Sequence, residues 1–302
     1  LIASEPLRIP ATDGVSLAAT VFRPPPPAAP GDVVVVASAM GVRHPYYYPF
    51  AEYVAGRGAV VVTFDYRGIG RSRPARLRGF EARLRDWGAL DLAGVIDWAL
   101  RAFPDRPVRV VAHSVGGQIL GLAARDGAPS SVLAVGAQSG YWGGWTGLGR
   151  LRVLSLWYLL IPLLAPALGY FPSRWVGLGE NLPAGVAREW AHWGRHPRYV
   201  LGRVDGEDAA RYAAFRGRLR AVGLRDDGFA PEATVRGLLE FYPNAVREMR
   251  LLDPRDFGLR EIGHFGFFRE SVGGRLWPAE VDWLLDQEGG RAGGGSEVRS
   301  SS

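Results

Sequence analysis

The stretch Val108–Gly121, VRVVAHSVGGQILG, decides how the chain folds. It opens on a β-branched run, Val108-Arg109-Val110-Val111, bounded upstream by Pro104 and Pro107, which predicts a buried strand. It then turns through Ala112-His113-Ser114-Val115-Gly116-Gly117 and continues as Gln118–Arg125 with helical spacing. A serine at the apex of strand, sharp turn and helix sits on a strained backbone that exposes its Oγ. The N–H of Val115, at the start of the helix, then faces any negative charge that develops beside the serine. Small residues two positions to either side, Ala112 and Gly116, let neighbouring strands approach the turn. Serine beside glycine is common in loops, and it is the strand before and the helix after that make this pattern specific. His113 points into the packing around the turn and is assigned no chemistry.

Outward from this stretch the chain alternates strands and helices. Pro6–Pro10 and Ser16–Phe22, separated by Thr12-Asp13-Gly14, predict an antiparallel hairpin, and Pro24–Pro30 a stiff link. Asp32–Ala39, DVVVVASA, is a continuous apolar run suited to a central parallel strand covered on both faces. Tyr46–Gly56 reads as helix, Ala59–Phe64 as a second buried strand, Asp86–Ala102 as an amphipathic helix, and Val132–Ala137 as a further strand. Later, Leu219–Leu224 and Arg247–Leu252 read as strands, Thr234–Phe241 and Trp277–Asp286 as helices, and Gly258–Arg269 as a loop. This order predicts an α/β fold with a mostly parallel, doubly wound sheet whose ligands bind at the carboxyl ends of the strands. The core is expected over 1–140 and 213–288, an inserted helical cap over 141–212, and a disordered Gly/Ser-rich tail over 289–302.

A serine becomes nucleophilic only when a base takes its proton, and the base needs a third group to hold its tautomer. Ser114 is followed by the pair Asp226-Asp227 after a strand, and by His264 between Gly263 and Gly266 after the last strand. Strand ends place all three at one sheet edge. The adjacent aspartates leave a strand whose side chains alternate, so only one reaches the histidine, and the spacing alone does not say which.

With these residues the chain resembles the α/β-hydrolase superfamily, in its serine-aminopeptidase-like and monoacylglycerol-lipase-like branch, over about Pro6 to Asp286. The resemblance rests on Ala112-His113-Ser114-Val115-Gly116, one methyl from G-x-S-x-G, and on Asp65-Tyr66-Arg67-Gly68-Ile69-Gly70-Arg71-Ser72, similar to D-x-R-G-x-G-x-S. The late Asp and His turns add to it. Within the branch the chain looks most like bacterial hydrolases without an assigned substrate, through Gly179-Glu180-Asn181-Leu182-Pro183, Glu189-Trp190-Ala191-His192-Trp193 and Gly263–Arg269. Relatives with this acid turn often carry proline four residues after the acid. Pro231 stands four after Asp227, which implies that Asp227 is the triad acid and Asp226 braces the turn. Where most relatives have His-Gly after the first central strand, this chain has Ser38-Ala39-Met40-Gly41, so the implied oxyanion N–H groups are those of Val115 and Met40.

Composition narrows the chemistry. The chain has 302 residues and a formal charge of +6, yet all its basic side chains are scattered arginines, which argues against a nucleic-acid surface. It has no cysteine, which excludes disulfides, thiolate catalysis and Cys-ligated zinc. Leu1–Pro10 shows neither a charged leader region nor a long apolar core, so a cytoplasmic protein is expected. Six of the ten tryptophans fall between Trp142 and Trp193, and the 19 residues Val153–Phe171 carry no charge. That run is long enough to raise a membrane span, but Pro162, Pro166 and Gly169 interrupt it and a span there would split the fold. Cap helices lining an apolar acyl pocket are the better account, with transient lipid-surface contact through the same surface. Glu180, Glu189, His192 and His196 are read as cap packing and surface polarity rather than a metal site.

The resulting expectation is a serine hydrolase that needs no cofactor or metal. It would cleave an ester or thioester of an apolar acyl group through a Ser114–His264–Asp227 triad and an acyl-enzyme. The alternatives are an acyltransferase or aminopeptidase using the same triad, or a non-catalytic module that binds an apolar ligand or a membrane surface.

Overall fold

Valine-rich runs form the centre of an eight-stranded sheet in the computed structural model, which describes residues 2–26, 31–125 and 127–286. The expected tail over 289–302 and residues 27–30 of the proline-rich link lie outside these residues. The hairpin strands β1 (Ala3–Pro10) and β2 (Ser16–Arg23) pair antiparallel. Then come β3 (Val33–Ala37), α1 (Tyr48–Gly56), β4 (Val60–Phe64), the short α2 (Leu84–Asp86) and α3 (Ala93–Ala102). The pair β5 (Val108–His113) and α4 (Val115–Ala123) is the decisive stretch, followed by β6 (Ser131–Val135). Helix α4 starts directly after the serine, at Val115, as the turn suggested.

The segment between the two halves of the sheet carries α5 (Gly147–Ser155), α6 (Ile161–Leu168), a two-strand ribbon of β7 (Tyr170–Phe171) and β8 (Leu182–Pro183), α7 (Ala184–Gly194) and α8 (Gly206–Ala214). A wider π turn, Leu156–Leu160, joins α5 and α6 into one helical run of 22 residues, Gly147–Leu168. Helix α8 packs on α4: the Tyr212 hydroxyl donates to the Gln118 carbonyl at 2.6 Å, and a Cβ on Gly121 would lie 2.2 Å from the Tyr212 ring. The chain closes with β9 (Arg218–Leu224), α9 (Glu232–Leu239), β10 (Val246–Leu252), a single turn α10 (Gly263–Gly266) and α11 (Glu270–Leu285).

The sheet order is β1-β2-β4-β3-β5-β6-β9-β10, with every pair from β4 to β10 parallel. Strands β3 to β6 are buried on both faces, which is why their sequences read as unbroken apolar runs rather than alternating ones. Ala37, Ala112, Ala134 and Ala221 stand in register across four strands directly under the serine turn. In this row of methyl groups the Ala112 side chain fits beneath the turn.

Two expectations change. His264 lies on a helical turn rather than in a plain loop, and α11 starts at Glu270, seven residues before the expected start. Gly273, Gly274 and Pro278 weaken the helical signal of α11, but buried Val272, Leu276, Val281 and Leu284 fix it by tertiary packing.

The Asp65–Ser72 turn is a structural knot. The Asp65 carboxylate accepts the N–H groups of His44 and Arg71 at 2.9 and 2.8 Å. Arg67 donates to both carboxylate oxygens of Asp13 at 2.8 Å and through Nε to buried Asp91 at 2.7 Å. The motif therefore ties the hairpin to the wide helical turn Trp87–Leu92 that leads into α3.

Candidate active site

Ser114 has φ +53° and ψ −113°, a conformation that favours glycine. Its strain, of order 1–3 kcal/mol, persists because both sides of the turn are tied down. Its N–H donates to the Val135 carbonyl at 3.0 Å, and its carbonyl accepts from Gly117 N–H at 3.0 Å. A Cβ on Gly116 would lie 2.4 Å from the Ala37 carbonyl oxygen, so only glycine lets α4 start this close to β3. Val115, the first residue of α4, has an N–H with no partner inside the helix. Met40 sits in the turn after β3, the strand beside β5.

The structure brings three of the sequence-selected side chains into one hydrogen-bonded line. His264 Nε2 lies 2.9 Å from Ser114 Oγ, and His264 Nδ1 lies 2.7 Å from Asp227 Oδ2. The other oxygen of Asp227 accepts the N–H groups of Phe229 and Ala230 at 2.7 and 3.0 Å, which locks the carboxylate plane. Asp226 faces elsewhere. Its Oδ2 accepts from Ile262 and Gly263 N–H at 2.7 and 3.0 Å, capping the turn that carries His264. Gly136, with φ +55°, makes room for the pair: a Cβ there would meet Asp227 Oδ2 and His264 Nδ1 at 3.3 Å. Ser114 is 7% exposed and His264 8%, so the line is nearly dry but reachable.

His113 does more than fill space. Ala39 N–H donates to the Tyr47 hydroxyl at 2.8 Å, and that hydroxyl lies 2.8 Å from His113 Nδ1. His113 Nε2 lies 2.9 Å from the backbone oxygen of His264. With the hydroxyl donating to Nδ1 and Nε2–H donating to the carbonyl, every bond is satisfied by a neutral imidazole. Burial, reinforced by the neighbouring His264, holds His113 well below the usual imidazole pKa, which keeps it neutral. The chain of bonds joins the loop before Met40 to the turn of His264. Tyr47→Phe would leave Ala39 N–H and His113 Nδ1 unpaired in the core. It should cost about 2 kcal/mol of stability, read as a lower urea midpoint with an unchanged slope. An unchanged midpoint would show that these bonds contribute nothing net.

Above the line lies a cavity of about 570 Å³ with His264 at its base. Val153, Leu156, Trp157, Leu160, Leu178 and Trp190 form its apolar walls, and Gln118 and Gln138 contribute its amide groups. The Gln118 amide is oriented by the Tyr199 hydroxyl, which donates to its Oε1 at 2.8 Å. Tyr199 is the other non-glycine residue among those described with positive φ, at +49°. Neither feature carries a sequence signal, since Tyr199 lies in a stretch of no clear period. Glu180 accepts from Gly70 N–H at 2.8 Å while its own N–H donates to the Gly41 carbonyl at 2.8 Å, so it ties the segment between β6 and β9 to the loop bearing Met40. Glu189 accepts from Arg85 N–H at 2.7 Å, His192 is exposed, and His196 Nδ1 accepts from Arg198 N–H at 3.1 Å.

A family profile described as alpha/beta hydrolase fold matches residues 32–175. Among solved structures, an esterase of Pyrococcus furiosus is similar at 15% identity, with 94% of this chain and 91% of that chain covered and a TM-score of 0.58. The esterase domain of a Rhodothermus marinus protein is similar at 16% identity, covering 94% and 100%, with a TM-score of 0.59. An esterase from Exiguobacterium antarcticum is similar at 14% identity, covering 92% and 99%, with a TM-score of 0.57. No curated protein matches the chain. At these identities the likeness is one of fold.

Proposed function

We propose that this chain, which has the α/β-hydrolase fold, is a serine hydrolase acting on esters or thioesters of apolar acyl groups. The observation that carries the reading is the line Ser114 Oγ–His264 Nε2–His264 Nδ1–Asp227 Oδ2, at 2.9 and 2.7 Å, on a strained turn under an apolar cavity. A purely structural serine has no need of positive φ or of a histidine oriented by a buried carboxylate.

In this reading the acyl chain lies among Leu156, Leu160 and Trp190, and its carbonyl carbon meets Ser114 Oγ. His264 Nε2 takes the hydroxyl proton as the O–C bond forms, and Asp227 stabilises the resulting imidazolium. The N–H groups of Val115 and Met40 receive the oxyanion. Collapse expels the alcohol or thiol, which takes the proton from His264. Water activated by the same histidine then releases the acid and restores Ser114.

A fluorophosphonate probe tests the class, because it should label the native chain at Ser114 and leave heat-unfolded chain unlabelled. A set of p-nitrophenyl esters tests the substrate. Each methylene added within the cavity should raise kcat/KM, by up to about 0.8 kcal/mol of transition-state binding, until the walls are filled. A flat profile, or activity on acetate alone, would sink the apolar acyl site.

A further inference from the structure

The outer face of the helical run Gly147–Leu168 has no partner among the described residues. Leu148, Leu151, Leu159 and Leu163 are between 52% and 74% exposed, with Tyr158 and Trp175 beside them at 52% and 72%. Only 17% of the run's most apolar window is buried, so this is not the core helix of the fold. The run is long enough to cross a bilayer, yet its inner face (Val153, Leu156, Leu160) lines the cavity over His264, which fixes it to the domain. A helix bound on one face and apolar on the other lies on a surface rather than spanning it.

What that surface is follows from the flank of α6. There a groove of about 570 Å³ sets Ile161, Pro162 and Pro166 against Arg83, Arg188, His192 and Arg195. Its one carboxylate, Glu189, is engaged by Arg85 N–H. Among the described residues, neither Arg188 nor Arg195 has a carboxylate in salt-bridge contact. Arg195 stacks 4.9 Å over the exposed Tyr158 ring, which joins the groove to the apolar face. Leucines beside arginines, with Trp175 and Tyr158 between apolar and wet surroundings, match acyl chains below and phosphates above. A second copy whose two-fold axis ran through this groove would instead set these arginines against themselves.

We propose that the leucine face of Gly147–Leu168 docks on an anionic lipid bilayer, with headgroup phosphates held in the groove of Arg188, His192 and Arg195. Docking sets the cavity mouth, where Val176 is 39% exposed, against the lipid. It does not depend on ester cleavage.

The test is vesicle flotation of the full chain carrying Ser114→Ala, so that lipid esters stay intact and docking is read apart from hydrolysis. Vesicles of phosphatidylglycerol with phosphatidylcholine should carry the protein at least about tenfold better than phosphatidylcholine alone. Combined Leu151→Glu, Leu159→Glu and Leu163→Glu should lower flotation at least about tenfold. With Ser114 restored, the same variant should turn over a soluble short ester as the parent does and keep its circular dichroism. Arg188→Glu with His192→Glu should remove only the preference for phosphatidylglycerol. The proposal is overturned if the parent does not float with anionic vesicles, or if the leucine variant floats as well as the parent. It is overturned equally if both lipids bind alike, or if the parent is a dimer that the leucine substitutions split, which would make this face a self-interface.

Discussion

Ser114→Ala is expected to abolish fluorophosphonate labelling and to lower kcat/KM on the best p-nitrophenyl ester by at least about a thousandfold, with KM little changed. The size of the loss follows from the geometry. Ser114 Oγ lies 2.9 Å from His264 Nε2, and no other hydroxyl hydrogen-bonds to His264 among the described residues. Residual turnover would come from the cavity and the N–H groups of Val115 and Met40 acting on water. The substitution should also raise rather than lower the unfolding midpoint. Position 114 keeps φ +53° with either residue, so the strain remains, but alanine leaves less polar surface to bury at a 7% exposed position. A folded variant that retains full turnover would remove the serine-hydrolase reading, whatever the fold.

The core of this site was readable in the sequence because its physics is local. A valine run must be a buried strand, and a serine between that strand and a glycine-rich helix start can only sit on a tight turn. The rest depends on contacts that no spacing encodes. The helical turn of His264 hides behind Gly263 and Gly266, which read as loop, because the cap that stabilises it comes from Asp226, 37 residues earlier in the chain. The Tyr47–His113 bonds span 66 residues and join two segments that read as ordinary core. The two faces of Gly147–Leu168 were both apolar in sequence, and only packing separates the wall of the cavity from the exposed stripe. Period marks burial on one side of a helix and is silent when both sides are apolar.

Asp227→Asn should cripple turnover, by about ten-thousandfold in kcat, while Asp226→Asn should cost about tenfold or less. The two residues are adjacent and chemically identical, so the difference is entirely one of direction. At 227 the N–H groups of Phe229 and Ala230 hold one side-chain oxygen at 2.7 and 3.0 Å. In an asparagine that oxygen must be the amide carbonyl, because an NH2 group cannot accept these bonds. The amide NH2 is thereby aimed at His264 Nδ1, now 2.7 Å from a carboxylate oxygen. It would donate to Nδ1 and place the imidazole proton on Nε2, the atom that has to accept the proton of Ser114. The base is then present, in place and in the wrong tautomer, with no anion to stabilise its charged form. At 226 the outcome differs, because the side chain only accepts N–H bonds from Ile262 and Gly263. An asparagine carbonyl can still accept them, losing the charge but keeping the cap. Steady-state kinetics on both purified variants, with matched circular dichroism, separates the roles. A crippled Asp226→Asn beside an active Asp227→Asn would reverse the assignment and place the working carboxylate on the other side of the turn.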